Sequence, residues 1–210
     1  MVSTIPSKSP PVIGEPVWDI ARLFPNQGYW SDAEYLSLDT NHLVELNDGC
    51  IEVLEMPKPA HQRIVLHVYE ELRQFVRPAK RGEVLVAPMP VRLRPAKVRE
   101  PDVMFMLAEH SARKGEKYWD GADLVMEVVS DDAEARERDL LTKRADYAEA
   151  GVPEYWIIDP QEQKILVLSL HRGQFIVHGE FSPGQAATSV LLPGFSVDVA
   201  AVFAAANQDA

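Results

Sequence analysis

Asp123-Leu124-Val125-Met126-Glu127-Val128-Val129-Ser130 reads as a strand that is apolar on both faces yet carries one carboxylate, Glu127. A strand with no polar alternation is one covered on both sides, and a charge inside it is costly unless something compensates it. Working outward, the sequence offers two partners: Asp102, which follows Pro101 at the head of another apolar run, and Lys143, on the segment that comes next. Two acids and a lysine are the equipment of metal-dependent phosphodiester chemistry.

From Asp132 to Ala150 the pattern predicts a helix, stopped by Gly151 and Pro153. Asp139, Lys143 and Tyr147 fall at i, i+4 and i+8 and so share one face of it. Tyr155 to Ile158 is a short strand with Tyr155 and Trp156 as core aromatics, and short strands then alternate with turns at Arg172-Gly173 and Pro183-Gly184. They cover Ile165 to Leu170, Gln174 to His178 and Thr188 to Leu192, and an Ala-rich helix follows from Val199.

Toward the N-terminus, Val84 to Leu93 and Val98 to Leu107 read as two strands, and Ala60 to Val76 has helical apolar spacing at Ile64, Val65, Val68, Leu72, Phe75 and Val76. Leu43 to Leu46 and Cys50 to Met56 flank Asp48-Gly49 as a hairpin. A short helix opens at Ser31, where Ser31 and Glu34 have capping-box spacing and Trp30 can staple onto Tyr35. The order predicts an α/β fold, a central mixed sheet flanked by helices with a β-rich C-terminal extension. Residues 29–203 are expected to form one domain between tails at 1–28 and 204–210.

The chain has 210 residues, 46% hydrophobic and 25% charged, which suits one globular domain. Met1 to Pro16 has neither a signal-peptide pattern nor an apolar span, so no membrane is expected. The single cysteine, Cys50, excludes an internal disulfide framework and a cysteine-built zinc site, in keeping with a cytoplasmic location. A net charge of −11 opposes nucleic-acid binding by bulk electrostatics. The charge is uneven, however, since Arg77, Lys80, Arg81, Arg92, Arg94, Lys97 and Arg99 crowd a stretch whose only interior acid is Glu83. Arg92, Arg94, Lys97 and Arg99 are the nucleic-acid contact candidates, with solvated strand ends as the alternative.

Magnesium binds through one or two carboxylates plus waters and substrate phosphates, so Asp102 and Glu127 form a plausible pair for Mg²⁺ or Mn²⁺. The alternative is a turn aspartate and a structural ion pair. Lys143 can orient a water or meet charge developing on phosphorus; equally, it can form a surface pair with Asp139. The Asp48-Gly49 loop sets Glu45 opposite Glu52, a repulsive pair unless a cation lies near. Glu45 is therefore a further site candidate, or else part of a solvated hairpin face. His61, in the first turn of its helix, is an accessory candidate beside Asp139 and Tyr147. There is no Walker loop, dinucleotide fingerprint, His-Glu-x-x-His pattern or G-x-S-x-G elbow.

Val44-Glu45-Leu46-Asn47-Asp48-Gly49, Ala60-His61-Gln62-Arg63-Ile64, Glu100-Pro101-Asp102-Val103, the Glu127 strand, Asp139-x-x-x-Lys143-x-x-x-Tyr147 and Gly151-Val152-Pro153-Glu154-Tyr155-Trp156 together resemble the Uma-two family of bacterial restriction-endonuclease-like proteins. So does the closing Leu191-Leu192-Pro193-Gly194-Phe195, and the match runs from about Ser31 to Phe203. The resemblance implies the restriction-endonuclease-like fold of the PD-(D/E)XK nucleases, with sites along a bent hairpin. It also implies Asp102 and Glu127 as metal ligands, Lys143 as a catalytic residue, DNA as substrate, and, by analogy with the fold, a homodimer; Glu45, from the hairpin register, is a lesser catalytic candidate. The lysine that this superfamily carries two residues after the glutamate is Val129 here, which makes Lys143 a migrated lysine. The competing expectation is a catalytically silent module of the same fold that binds protein or nucleic acid.

Overall fold

The structure is a computed structural model describing residues 24–40, 42–130, 136 and 138–207, the side chains of 138 and 139 aside. Most of the expected N-terminal tail and the start of the helix expected from Asp132 lie outside these residues.

Strand β8 (Leu124–Val128) lies inside a six-stranded sheet, where it pairs in parallel with β9 (Glu154–Asp159) and antiparallel with β6 (Val103–Leu107). Beyond β9 come β10 (Lys164–His171) and β11 (Gln174–Phe181), and beyond β6 comes β3 (Gly82–Val86). Of the strands in the β-rich C-terminal part, β10 and β11 widen the central sheet, and the last two form a small sheet of their own. One face is covered by helix α2 (Pro59–Val76) and the last helix, α4 (Val199–Ala205), which pack Ile64, Val68, Leu72, Val202 and Phe203 against Leu124, Met126 and Val128. The other face meets helix α3 (Lys143–Glu149), whose Tyr147 packs with Val125, Val129 and Tyr155. Both faces of β8 are therefore buried. Glu127 shares the α3 face with Val125 and Val129, because strand side chains alternate.

The two long strands expected over 84–93 and 98–107 are in fact four. Pro88 and Pro90 have no N–H for a sheet ladder, and they separate β3 from β4 (Val91–Arg94), with a cis bond at Ala87–Pro88. Pro101 likewise separates β5 (Lys97–Arg99) from β6. Strand β3 pairs with β6 and β4 with β5, so the four make one long hairpin bent at its prolines. Its outer half joins a second sheet with β1 (Val44–Asn47), β2 (Cys50–Val53) and the two-residue β7 (Trp119–Asp120). In the β1–β2 hairpin Asp48 and Gly49 both have positive φ, 51° and 77°, which matches the twist of the flanking strands.

Helix α1 (Asp32–Tyr35) has the expected capping box, and Trp30 and Tyr35 share a small core with Leu46 and Val98. The strand expected at 188–192 forms earlier, as β12 (Ala186–Thr188), which pairs with β13 (Ser196–Asp198). Among the described residues no helix is long and apolar enough to cross a membrane.

Candidate active site

The bend of the hairpin, the C-terminal end of β8 and the first turn of α2 enclose a cleft of about 510 Å³, whose wall includes His61, Glu100, Asp102, Glu127, Ser130 and Lys143. Glu127 is buried within it. One helical turn separates Lys143 from Tyr147, and both reach the same oxygen: the Lys143 ammonium lies 3.0 Å from Glu127 Oε1, and the Tyr147 hydroxyl donates to it at 2.6 Å. Burial, then the Glu127 and Glu45 charges, drive the Tyr147 pKa upward, so the phenol stays a donor.

Asp102 sits just past Pro101, where the hairpin turns from one sheet to the other. Its Oδ2 accepts from the Val128 N–H at 2.8 Å, which fixes the carboxylate beside the residue that follows Glu127. The same oxygen lies 3.3 Å from His61 Nε2, itself 3.0 Å from the Val128 carbonyl. His61 Nδ1 is buried with no hydrogen-bond partner among the described residues. Burial alone would lower the His61 pKa, but the Asp102 carboxylate and the Val128 carbonyl outweigh it and raise the value.

The hairpin register is the expected one, Glu45 opposite Glu52, and a cation relieves the repulsion. Arg99 Nη1 lies 2.7 Å from Glu45 and 2.8 Å from Glu52. Glu45 is fully buried; its other oxygen accepts the Glu100 N–H at 3.0 Å and stands 3.9 Å from the Lys143 ammonium. Burial would raise its pKa, yet Lys143 and Arg99 hold it below the ordinary value.

The basic stretch does not face solvent as one strip. Arg99 is 0% exposed and Lys97 5%, and both are bound to Asp146, at 2.7 Å and 2.6 Å. Arg92 pairs with Asp120 and Arg94 with Asp48. As nucleic-acid contacts Lys97 and Arg99 are therefore corrected: they are structural cations inside the fold, placed there by the acids they neutralise. The side chain of Asp139 lies outside the described residues.

Two residues escaped the sequence reading. Asp146, three positions after Lys143, is an acid on the inward side of a helix, a signal visible only once that side is known. Glu100 lines the cleft, accepts from the Tyr35 hydroxyl at 2.9 Å and has its second oxygen buried without a partner among the described residues. Burial, with the Glu45 charge, outweighs Tyr35 and Lys143 and raises its pKa to about 7.

Residues 32–200 match the model of the Uma2 family, described as putative restriction endonuclease. The chain belongs to the Uma2 family. A solved structure similar in fold is that of a putative nuclease belonging to DUF820 from Anabaena variabilis, with 18% identity and a TM-score of 0.67. The match covers 83% of this Uma2 chain and 97% of that one. No curated protein matches.

Proposed function

We propose that this Uma2 cleft hydrolyses DNA phosphodiesters with a divalent cation, Mg²⁺ or Mn²⁺, held by Asp102 and Glu127. The observation that carries the reading is that Asp102, Glu127 and Lys143, distant in sequence, line one cleft, with Asp102 bonded to the backbone next to Glu127. Among the described residues no three His, Cys, Asp or Glu side chains form a ready-made metal cluster. A magnesium-type ion does not need one, since two carboxylates suffice when water and phosphate complete its shell. The donors fit: the second Asp102 oxygen accepts no hydrogen bond among the described residues, and the orphaned Glu100 oxygen offers another hard ligand atom on the same wall. When bound, the cation supplies Lewis-acid stabilisation of the charge that builds on phosphate.

The chain's own residues do the rest. Lys143, desolvated and aimed at the cleft, offers a compact positive charge to the phosphoryl oxygens as they gain electron density. Glu45, pinned by Arg99, keeps that ammonium in place, Tyr147 orients Glu127, and His61 orients Asp102. Two copies, one per strand, would cut a duplex. A silent module of the same fold is the competing reading, favoured by the net charge of −11.

Cleavage of single-stranded and duplex DNA in Mn²⁺, Mg²⁺ and EDTA separates the two, with Asp102→Ala, Glu127→Ala and Lys143→Ala beside the wild type. The expected result is metal-dependent cleavage, lowered about 100-fold or more by each substitution. Mn²⁺ should also raise the melting temperature of the wild type but not of Asp102→Ala, since a ligand stabilises only the state that binds it. Cleavage unchanged in all three variants, or no cleavage and no Mn²⁺ effect in the wild type, would end the nuclease reading.

A further inference from the structure

With Arg92, Arg94, Lys97 and Arg99 tied to acids, the cations left over gather elsewhere. Arg73, Arg77 and Lys80 are exposed, and among the described residues none of them forms an ion pair. Together with Tyr69, Glu83 and Lys114 they line a second cleft, of about 690 Å³, between the C-terminal end of α2 and the edge strand β3. The nearby acids do not neutralise it. Glu83 is bound to Lys114 at 2.8 Å, and neither Glu70 nor Glu71 pairs with Arg73 or Arg77 among the described residues. Arg81 stands beside the cleft with its guanidinium 4.5 Å from the centre of the Phe75 ring.

The two clefts lie along one helix. Gln62 lines the first and Tyr69, Arg73 and Arg77 line the second. Positions 62, 66, 69, 73 and 77 step by four, three, four and four residues, so they form one stripe on the outside of α2. Between its ends the stripe carries Leu66, Tyr69 and Arg73, and the one acid at its margin is the exposed Glu70, one turn after Leu66 and one turn before Arg73. Gln62 and Arg77 are about 22 Å apart along the axis, at about 1.5 Å per residue. That distance spans about six or seven nucleotides of one strand.

A structural role does not account for the whole cluster. Cations near a helix C-terminus complement its dipole, which explains Arg73 and Arg77. Lys80 lies beyond the helix and has φ = 50°, a left-handed conformation that glycine adopts more readily than lysine. The backbone there would favour another residue, and what lysine adds is a charge over the cleft.

We infer that Arg73, Arg77 and Lys80 form a docking site for the sugar-phosphate backbone of a duplex whose scissile phosphate lies in the first cleft, about 22 Å away along α2. The inference rests on the nuclease reading for that second contact, and on the cation-lined cleft for the first. In a chain of net charge −11, such a local site is what would let a polyanion approach.

The test is fluorescence anisotropy in EDTA with a labelled 20-base-pair DNA duplex, and the RNA duplex of the same length, from 50 to 200 mM NaCl. Wild type is compared with Arg73→Gln/Arg77→Gln/Lys80→Gly and with a control lacking three other surface cations, the exposed Lys117 and Arg172 and the half-exposed Lys164, which pairs with Glu180 (Lys117→Gln/Lys164→Gln/Arg172→Gln). Each lost phosphate contact should reduce the slope of log K against log salt by about 0.9. The cleft variant should therefore show a slope shallower by about 2 to 3 and an affinity lower by about tenfold or more, while melting near the wild-type temperature, since glycine at position 80 offsets the lost dipole contacts, and keeping the wild-type cleavage rate at saturating protein. Loss on DNA, RNA or both supports the site and tells which duplex it takes. Equal loss in the control, no loss in the cleft variant, or no duplex binding by the wild type overturns it. Binding with neither cleavage nor a Mn²⁺ effect on melting would instead sink the nuclease reading and leave the docking site standing.

Discussion

Glu127 shows how one side chain changes meaning between sequence and structure. Read as a buried carboxylate in a cluster of like charges, with Lys143 only a candidate neighbour, it suggests that Glu127→Gln relieves repulsion and keeps or raises metal-free stability. The structure reverses that sign, since Lys143 lies 3.0 Å away and Tyr147 donates to the same oxygen. Neutralising Glu127 leaves a buried ammonium with a weaker partner, and uncompensated buried charge is among the costlier defects in a protein. Glu127→Gln is expected to lose about 1–3 kcal/mol in EDTA, measured by urea unfolding, because the amide still accepts from Tyr147. A variant as stable as the wild type would show that Lys143 sheds its proton or turns to Glu45. Much at this scale was legible: an acid in an apolar strand required a partner, and helical spacing put Lys143 and Tyr147 on one face. What was missing was Arg99. No local pattern reveals that a strand arginine points inward, and its inward position is what makes the Glu45–Glu52 pairing tolerable.

At the level of elements, helices and hairpin loops were read closely, because capping boxes, a proline-started amphipathic stretch and a two-residue loop are local signals. The bent hairpin was not, since apolar runs do not say which sheet they join. Its prolines mark the breaks, but only the pairing assigns the halves to different sheets, and that crossing is what turns Asp102 toward β8. Glu154 is a second case. At the start of β9 it is fully buried with no cation paired to it among the described residues, accepting from Trp156 Nε1, Ser189 Oγ and the N–H groups of Val190 and Leu191, all at 2.7 Å. One carboxylate thus shapes the loop that replaces the strand expected at 188–192. Removing it leaves several buried donors unmet at about 1–3 kcal/mol each. Glu154→Ala is expected to lose about 3–5 kcal/mol in urea unfolding with DNA binding per folded molecule unchanged. A loss below 1 kcal/mol would mean that water takes over the donors.

Over the whole molecule, buried acids of opposite tendency shape stability against pH. Glu45 has a lowered pKa because Lys143 and Arg99 overcome its burial, and Asp159 has one because Arg136, 2.6 Å away, does the same. Such groups favour the folded state while ionised; their contribution is present above the unfolded carboxylate range and is lost as pH falls through their folded values. Glu100 works the other way. Its folded pKa of about 7 exceeds the ordinary 4.5, so the native state keeps a proton that the unfolded chain releases, and stability falls as pH rises from about 4.5 to about 7. The excess of 11 negative charges adds self-repulsion over the same interval, because fewer carboxylates are protonated at the higher end. Thermal unfolding in EDTA should therefore give a maximum melting temperature near pH 5, with a decline toward neutrality and a steeper one below about pH 4 as Glu45 and Asp159 take up protons. Glu100→Gln should flatten the limb between pH 5 and 7 and leave the acid limb unchanged. A melting temperature that climbs from pH 5 to 7 in the wild type would mean that Glu100 is ionised in the fold, held so by Lys143, and that the cleft carries one more negative charge than its burial implies.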